Sequence, residues 1–161
     1  MHYTGTIWRP PYEAGSLLLE ATAGCTHHKC KFCTLYNDLP FSFQMSPLED
    51  IEEDLQEVAK RNRMWGWELQ RVFLTEANPF VLKFDFLMEI ATLVKWYLPS
   101  CESIGSFARI TDIGPKSDEE LQRLKSAGFD GLTIGMETAD EEALQFMNKG
   151  YGKKDILVQC G

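Results

Sequence analysis

Three of the chain's five cysteines fall within nine residues, in the run Cys25-Thr26-His27-His28-Lys29-Cys30-Lys31-Phe32-Cys33. An odd, crowded set of thiols is a poor disulfide framework and a good metal-ligand set. Thiolates are soft donors suited to zinc, Cu(I) or an iron–sulfur cluster. Structural zinc takes four protein ligands, so Cys25, Cys30 and Cys33 would need His27 or His28 beside them. No second Cys-x2-Cys knuckle follows, because Cys101 and Cys160 stand apart. Both read as small buried hydrophobes. A [4Fe-4S] cube held by the three crowded thiolates would leave one iron open to an outside ligand.

The elements that must carry this loop alternate between strand and helix. Residues 1–16 form an irregular lead-in, with Pro10-Pro11 and Gly15 opposing regular structure. Ser16 to Thr22, built on Leu17, Leu18 and Leu19, reads as a strand buried on both faces that stops at Gly24 and delivers the chain into Cys25. Ser46, Pro47 and Glu49 predict a helix start with a reciprocal capping box, followed by an apolar stripe of Leu48, Ile51, Leu55, Val58 and Ala59. Arg71 to Thr75 is the second strand and Phe84 to Tyr97 the second helix. Ser103 to Ala108 is a third strand, and Ser117 with Glu120 caps a third helix that Gly128 ends. Gly131 to Gly135 is the fourth strand, with helices from Asp140 to Met147 and from Lys153 onward.

Four such units imply an α/β fold with a parallel sheet and right-handed crossovers. A closed eight-unit barrel needs about 250 residues, so the expectation is a partial TIM-type (β/α) barrel of about four βα units spanning 17–161. The sequence stops inside a helical pattern, which points to the front part of a longer barrel. Half a barrel would leave a sheet edge and an apolar inner face to be covered by a homodimer partner or a further C-terminal segment. With 16 Lys+Arg against 24 Asp+Glu, the net charge of −8 argues against a nucleic-acid-coating surface. No run approaches the ~20 apolar residues of a membrane span, and no basic region of signal-peptide type precedes Leu17–Leu19. The expected setting is therefore cytoplasmic.

The run from Gly24 through Phe32-Cys33, at the end of a first strand and followed by βα units, resembles the radical S-adenosylmethionine superfamily, over essentially the whole chain from Arg9. The commonest spacing there is Cys-x3-Cys-x2-Cys; here the first gap is one residue longer. The resemblance implies a [4Fe-4S] cluster on Cys25, Cys30 and Cys33 and S-adenosylmethionine (SAM) on its open iron. One-electron reduction would then give methionine and a 5′-deoxyadenosyl radical that abstracts hydrogen from a substrate not readable from the sequence.

Further positions follow from the same resemblance. Phe32 matches the aromatic whose neighbourhood packs the adenine. Glu76, after the second strand, stands for the acid of a Gly-Gly-Glu motif that takes the methionyl ammonium, although Thr75 and Ala77 occupy places where glycine is common. Arg109, after the third strand, is placed to grip a carboxylate bidentately. Glu137, after the fourth, would meet the ribose hydroxyls, and Lys149 the methionine carboxylate. No side chain is singled out as the catalytic group itself, since the radical chemistry belongs to the cofactors. A flavodoxin- or ferredoxin-type donor would supply the electron, with Lys29 and Lys31 beside the loop to offset cluster charge or meet an acidic partner. A cluster-binding but non-catalytic fragment and a structural zinc module are the alternatives.

Overall fold

The computed structural model describes residues 1–160. Eleven regular elements follow in order: β1 (Leu17–Glu20), β2 (Thr22–Gly24), β3 (Phe43–Met45), α1 (Leu48–Trp65), β4 (Arg71–Thr75), α2 (Phe84–Tyr97), β5 (Ser103–Ala108), α3 (Asp118–Ser126), β6 (Phe129–Ile134), α4 (Glu141–Met147) and α5 (Lys153–Cys160). The main sheet has the order β1-β4-β5-β6, and every neighbouring pair is parallel. The spatial order repeats the chain order without reversal. Right-handed crossovers then keep the helices on one side, as in a barrel wall and unlike a doubly wound sheet. The chain is a four-unit arc of a (β/α) barrel.

Strand register decides which residues face the helices. Leu19, Leu74, Ile104 and Val72 are fully buried and pack against Ile51 and Leu55 of α1, Leu87, Ile90 and Val94 of α2, and Leu124 of α3. Truncating one such leucine to alanine typically costs about 2–5 kcal/mol. A smaller cluster of Ile110, Leu144, Tyr151 and Ile156 seats α4 and α5 under the carboxyl end of β6. Ser117 caps α3, accepting from Glu120 N–H while the Glu120 carboxylate accepts from Ser117 N–H.

The opposite face, which would be the barrel interior, is not left bare. Gly105 opens room there: a Cβ on it would lie 2.6 Å from the Arg71 guanidinium and 2.7 Å from the Phe73 ring. Phe73 and Phe107 meet edge to face, with centroids 4.9 Å apart. The lead-in crosses this surface. Thr75 Oγ1 donates to the Trp8 carbonyl at 2.6 Å, Tyr12 and Thr133 share a hydroxyl hydrogen bond at 2.6 Å, and buried Glu13 takes Arg71 on both carboxylate oxygens. Arg71 also donates to Ser103 and Asp130, so one guanidinium joins the lead-in, β4, β5 and β6. The apolar inner face expected to await a partner is therefore partly covered by residues 8–13 of the same chain.

Four local expectations are corrected. The strand expected from Ser16 to Thr22 ends at Glu20; after Ala21 the chain turns into β2, which pairs antiparallel with β3. The helix expected from Ser46 begins at Leu48, with Pro47 as its uncapped N-cap. Ser46 is held outside it, its N–H donating to the Ala21 carbonyl as an extension of the β2–β3 pairing. β6 starts at Phe129, two residues before Gly131, because Phe129 packs into the main core and Asp130 is the extra residue of a bulge against β5. Cys101 is buried as expected, but Cys160 is exposed.

Candidate functional site

The carboxyl ends of the parallel strands converge on an open cleft of about 270 Å³. Its wall includes all eight residues singled out from the sequence: Cys25, Cys30, Phe32, Cys33, Glu76, Arg109, Glu137 and Lys149. Sequence reasoning missed Trp8, Leu35, Tyr36, Phe107 and Thr133, which line the same space. Trp8 lay in a segment without periodicity, while Phe107 and Thr133 carried the strand alternation that marks an inward face.

The cysteine loop is delivered by β2 and fastened on three sides. Gly24 has φ +78°, and a Cβ there would sit 2.3 Å from the Ser42 carbonyl oxygen, so the close approach of β3 requires glycine. Cys25 N–H donates to the same carbonyl at 2.8 Å, and Cys33 N–H closes a turn onto Cys30 O at 3.2 Å. From the β4 side, Asn78 Nδ2 donates to Thr26 Oγ1 at 2.8 Å and to the Asp112 carboxylate at 3.1 Å, and Asp112 also accepts from Arg109 N–H at 2.7 Å. Asn78 and Asp112 are buried, and that burial pushes the Asp112 carboxyl up from its ordinary value. From the α4 side, Lys31 N–H reaches Met147 O, Asn148 Nδ2 reaches Lys29 O, and His27 Nε2 donates to Asn148 O at 2.6 Å.

The two acids sit on strained backbone. Glu76 has φ +80° and Glu137 φ +65°, left-handed values that side-chain-bearing residues rarely adopt outside sites that need a particular projection. Glu76 is buried, and its Oε1 has no hydrogen-bond partner. Burial, reinforced by the nearby Glu20 carboxylate, pushes its carboxyl up to about 7. Glu137 is half exposed and accepts from Lys149 Nζ at 3.3 Å.

The basic residues are constrained by other groups. Lys149 is buried; its ammonium donates to Gly135 O at 2.8 Å and lies 5.5 Å from the Phe32 ring centroid. Arg109 donates to the Lys149 carbonyl and stacks over Tyr151 at 5.7 Å. Burial pushes the Cys30 thiol up, while Lys149 and then Arg109 act to lower it.

Two metal groups suit these donors. Zinc draws every sulfur to ~2.3 Å from one ion, whereas a cube gives each thiolate its own iron and keeps the sulfurs apart. His27 is committed to Asn148 O and packs on Gly150. Three free thiols and a buried unpartnered carboxylate oxygen line the same cleft, a donor set that fits a thiolate-held multi-iron group.

The class of protein so defined is a (β/α) barrel domain with a three-thiol loop that follows β2, just beyond the first barrel strand. The chain belongs to the Radical SAM superfamily, whose pattern it matches over residues 19–158. It is 22% identical over 136 residues to the heme chaperone HemW of Bacillus subtilis (strain 168), covering 81% of this chain and 34% of HemW. It thus spans about a third of that relative's length. Among solved structures it is similar to the cobalamin-dependent S-adenosylmethionine radical enzyme OxsB. With aqua-cobalamin and S-adenosylmethionine bound, that structure superposes at a TM-score of 0.67 with 17% identity, over 89% of this chain and 21% of OxsB. With aqua-cobalamin alone the values are 0.66 and 18%, with the same coverage. These likenesses establish the barrel fold. Among the described residues no helix is long and apolar enough to cross a membrane.

Proposed function

We propose that this chain is a radical SAM enzyme domain that holds a [4Fe-4S] cluster on Cys25, Cys30 and Cys33 and SAM in the adjoining cleft. When bound, the pair supplies one-electron cleavage of the sulfonium to methionine and a 5′-deoxyadenosyl radical that takes hydrogen from substrate. The observation that carries the reading is the buried, unpartnered Glu76 oxygen in the wall that the three thiols share.

Each residue then has a physical task. Glu76 accepts hydrogen bonds from the ligand's ammonium, whose charge compensates a carboxylate otherwise costly to ionise in that pocket. Arg109 takes the ligand carboxylate, its position fixed by the Lys149 carbonyl and the Tyr151 ring. Lys149 already spends its charge on Glu137, so its task is to aim Glu137 at the ribose hydroxyls rather than to bind the carboxylate. Phe32 offers a half-exposed ring for the adenine. The lead-in, through Trp8, walls the cleft from the barrel interior and limits water near the reacting carbon. Exposed Lys29 and Lys31 flank the loop where an acidic flavodoxin- or ferredoxin-type donor would dock.

The test is anaerobic incubation of the reconstituted chain with SAM and a low-potential reductant, scored for 5′-deoxyadenosine. Wild type yields it and Cys30→Ser does not. Equal yields from both, or none from wild type carrying a full cluster, would overturn the reading.

A further inference from the structure

Asp112 lies in the short turn after β5, outside the cleft wall, and is only 2% exposed. A buried carboxylate is costly unless its oxygens are filled, and an apolar side chain of similar size often serves stability as well in such a place. What the carboxylate offers here is a tie between loops. Its Oδ2 accepts from the Arg109 N–H at 2.7 Å, and the Asp112 N–H returns to the Arg109 carbonyl at 3.0 Å. The Arg109 backbone is thus closed in a ring before its side chain turns to the cleft. Both carboxylate oxygens also take Nδ2 of Asn78, from the loop after β4, at 3.1 and 3.3 Å. Asn78 in turn grips Thr26, the neighbour of Cys25, by two bonds. Its Nδ2 donates to Thr26 Oγ1 at 2.8 Å, and its Oδ1 accepts from the Thr26 N–H at 3.3 Å. Lys116, itself buried, donates to the carbonyls of Phe80 at 2.6 Å and Asp112 at 3.2 Å. One carboxylate therefore joins the loops that follow β2, β4 and β5.

We propose that Asp112 is a positioning residue that sets the cysteine loop and Arg109 in one register, so that cluster and Arg109 engage the same SAM molecule. The inference rests on the cluster and SAM reading above. Iron held by the thiolates and the Arg109 guanidinium must grip one small ligand together. A shift between their two loops weakens that grip even when each loop keeps its own residues. Arg109 acts through its side chain, but its origin is set by the backbone ring that Asp112 closes. The cysteine loop is reached from the same carboxylate through a single side chain, Asn78. Neither Asp112 nor Asn78 needs to touch the ligand for either to change its affinity.

The experiment compares anaerobically reconstituted wild type, Asp112→Leu, Asp112→Asn, Asn78→Leu and Lys116→Met. Iron and sulfide are counted on each, stability is read in urea, and SAM affinity is taken per loaded cluster from the EPR signal of the reduced protein. Wild type that takes up no cluster, or whose cluster ignores SAM, refutes the site reading itself. With a responsive wild type, Asp112→Leu should bind SAM about tenfold more weakly per cluster. Asp112→Asn keeps an oxygen where Arg109 N–H and Asn78 Nδ2 both donate, so its affinity should stay near wild type. Asn78→Leu cuts the tie while leaving the Arg109 ring closed, and should also weaken SAM binding per cluster. Lys116→Met loosens the same turn without touching either arm; it should lower stability in urea and leave SAM affinity unchanged. Wild-type affinity in Asp112→Leu overturns the proposal, as does an equal loss in Lys116→Met, which would make the effect one of general stability. Where Asp112→Leu fails to fold or load, Asn78→Leu decides: weaker SAM binding per cluster supports the tie and unchanged binding overturns it.

Discussion

Replacing Glu76 by Gln should stabilise the unloaded chain in a pH-dependent way that its environment specifies. Glu76 is 3% exposed, one carboxylate oxygen has no partner, and Glu20 adds a second negative charge nearby. Its carboxyl is pushed from 4.5 to about 7. At 1.36 kcal/mol per unit, ionising it in the fold carries a penalty of about 3 kcal/mol. The sign follows from proton counts. Below pH 4.5 both folded and unfolded chains keep the proton and no penalty exists. Between 4.5 and 7 the unfolded chain releases it first, so folding loses stability as pH rises. Above 7 the penalty is complete. Urea denaturation of wild type and Glu76→Gln at pH 4.5, 6 and 8 measures it. The variant should match wild type at the lowest pH and exceed it by about 3 kcal/mol at the highest. A stability difference that stays constant across this range would refute the account of Glu76 as a buried acid awaiting a cation.

Two further substitutions probe the supports of the site. Glu13→Gln should cost about 2 kcal/mol at neutral pH, because it leaves half-buried Arg71 without its two-oxygen partner. Arg71 holds the Glu13 carboxyl below its ordinary value. The wild-type advantage is therefore present above pH 4.5 and fades on acidification, as denaturation at two pH values would show. Asn78→Leu removes the donor shared by Thr26 and Asp112. The expected outcome is a loss of about 2–3 kcal/mol in urea denaturation and lower iron uptake by the loosened cysteine loop.

The parallel half-barrel was legible because its signals are periodic. Apolar strand runs such as Val72-Phe73-Leu74 alternate with stripes such as Ile51, Leu55 and Val58, and these residues became the main core. The cleft was legible from a different source: a dense thiol run and single polar residues placed just after strand ends. What escaped has no period. The lead-in holds the inner face through isolated contacts of Trp8, Tyr12 and Glu13, which no window of alternating residues records. The β2–β3 hairpin was hidden because its strands are three residues each and a long loop separates them. At Ser46 the local helix signal lost to a nonlocal hydrogen bond with Ala21, and Pro47 was left as the boundary. Asp54 is buried although it lies in the helix charge pattern, because the chain's first residues fold back onto it: Met1 N lies 3.1 Å from its carboxylate.

The central claim is that three thiols from one strand end bind a cube and leave one iron open. Its most direct test is EPR spectroscopy of the anaerobically reconstituted, reduced chain before and after addition of SAM, with metal and sulfide quantified on the same sample. The account predicts iron and sulfide at the stoichiometry of one [4Fe-4S] cluster per chain and a reduced-cluster signal that changes when SAM is added. One zinc per chain with no uptake of iron or sulfide would contradict it, as would a cluster signal indifferent to SAM.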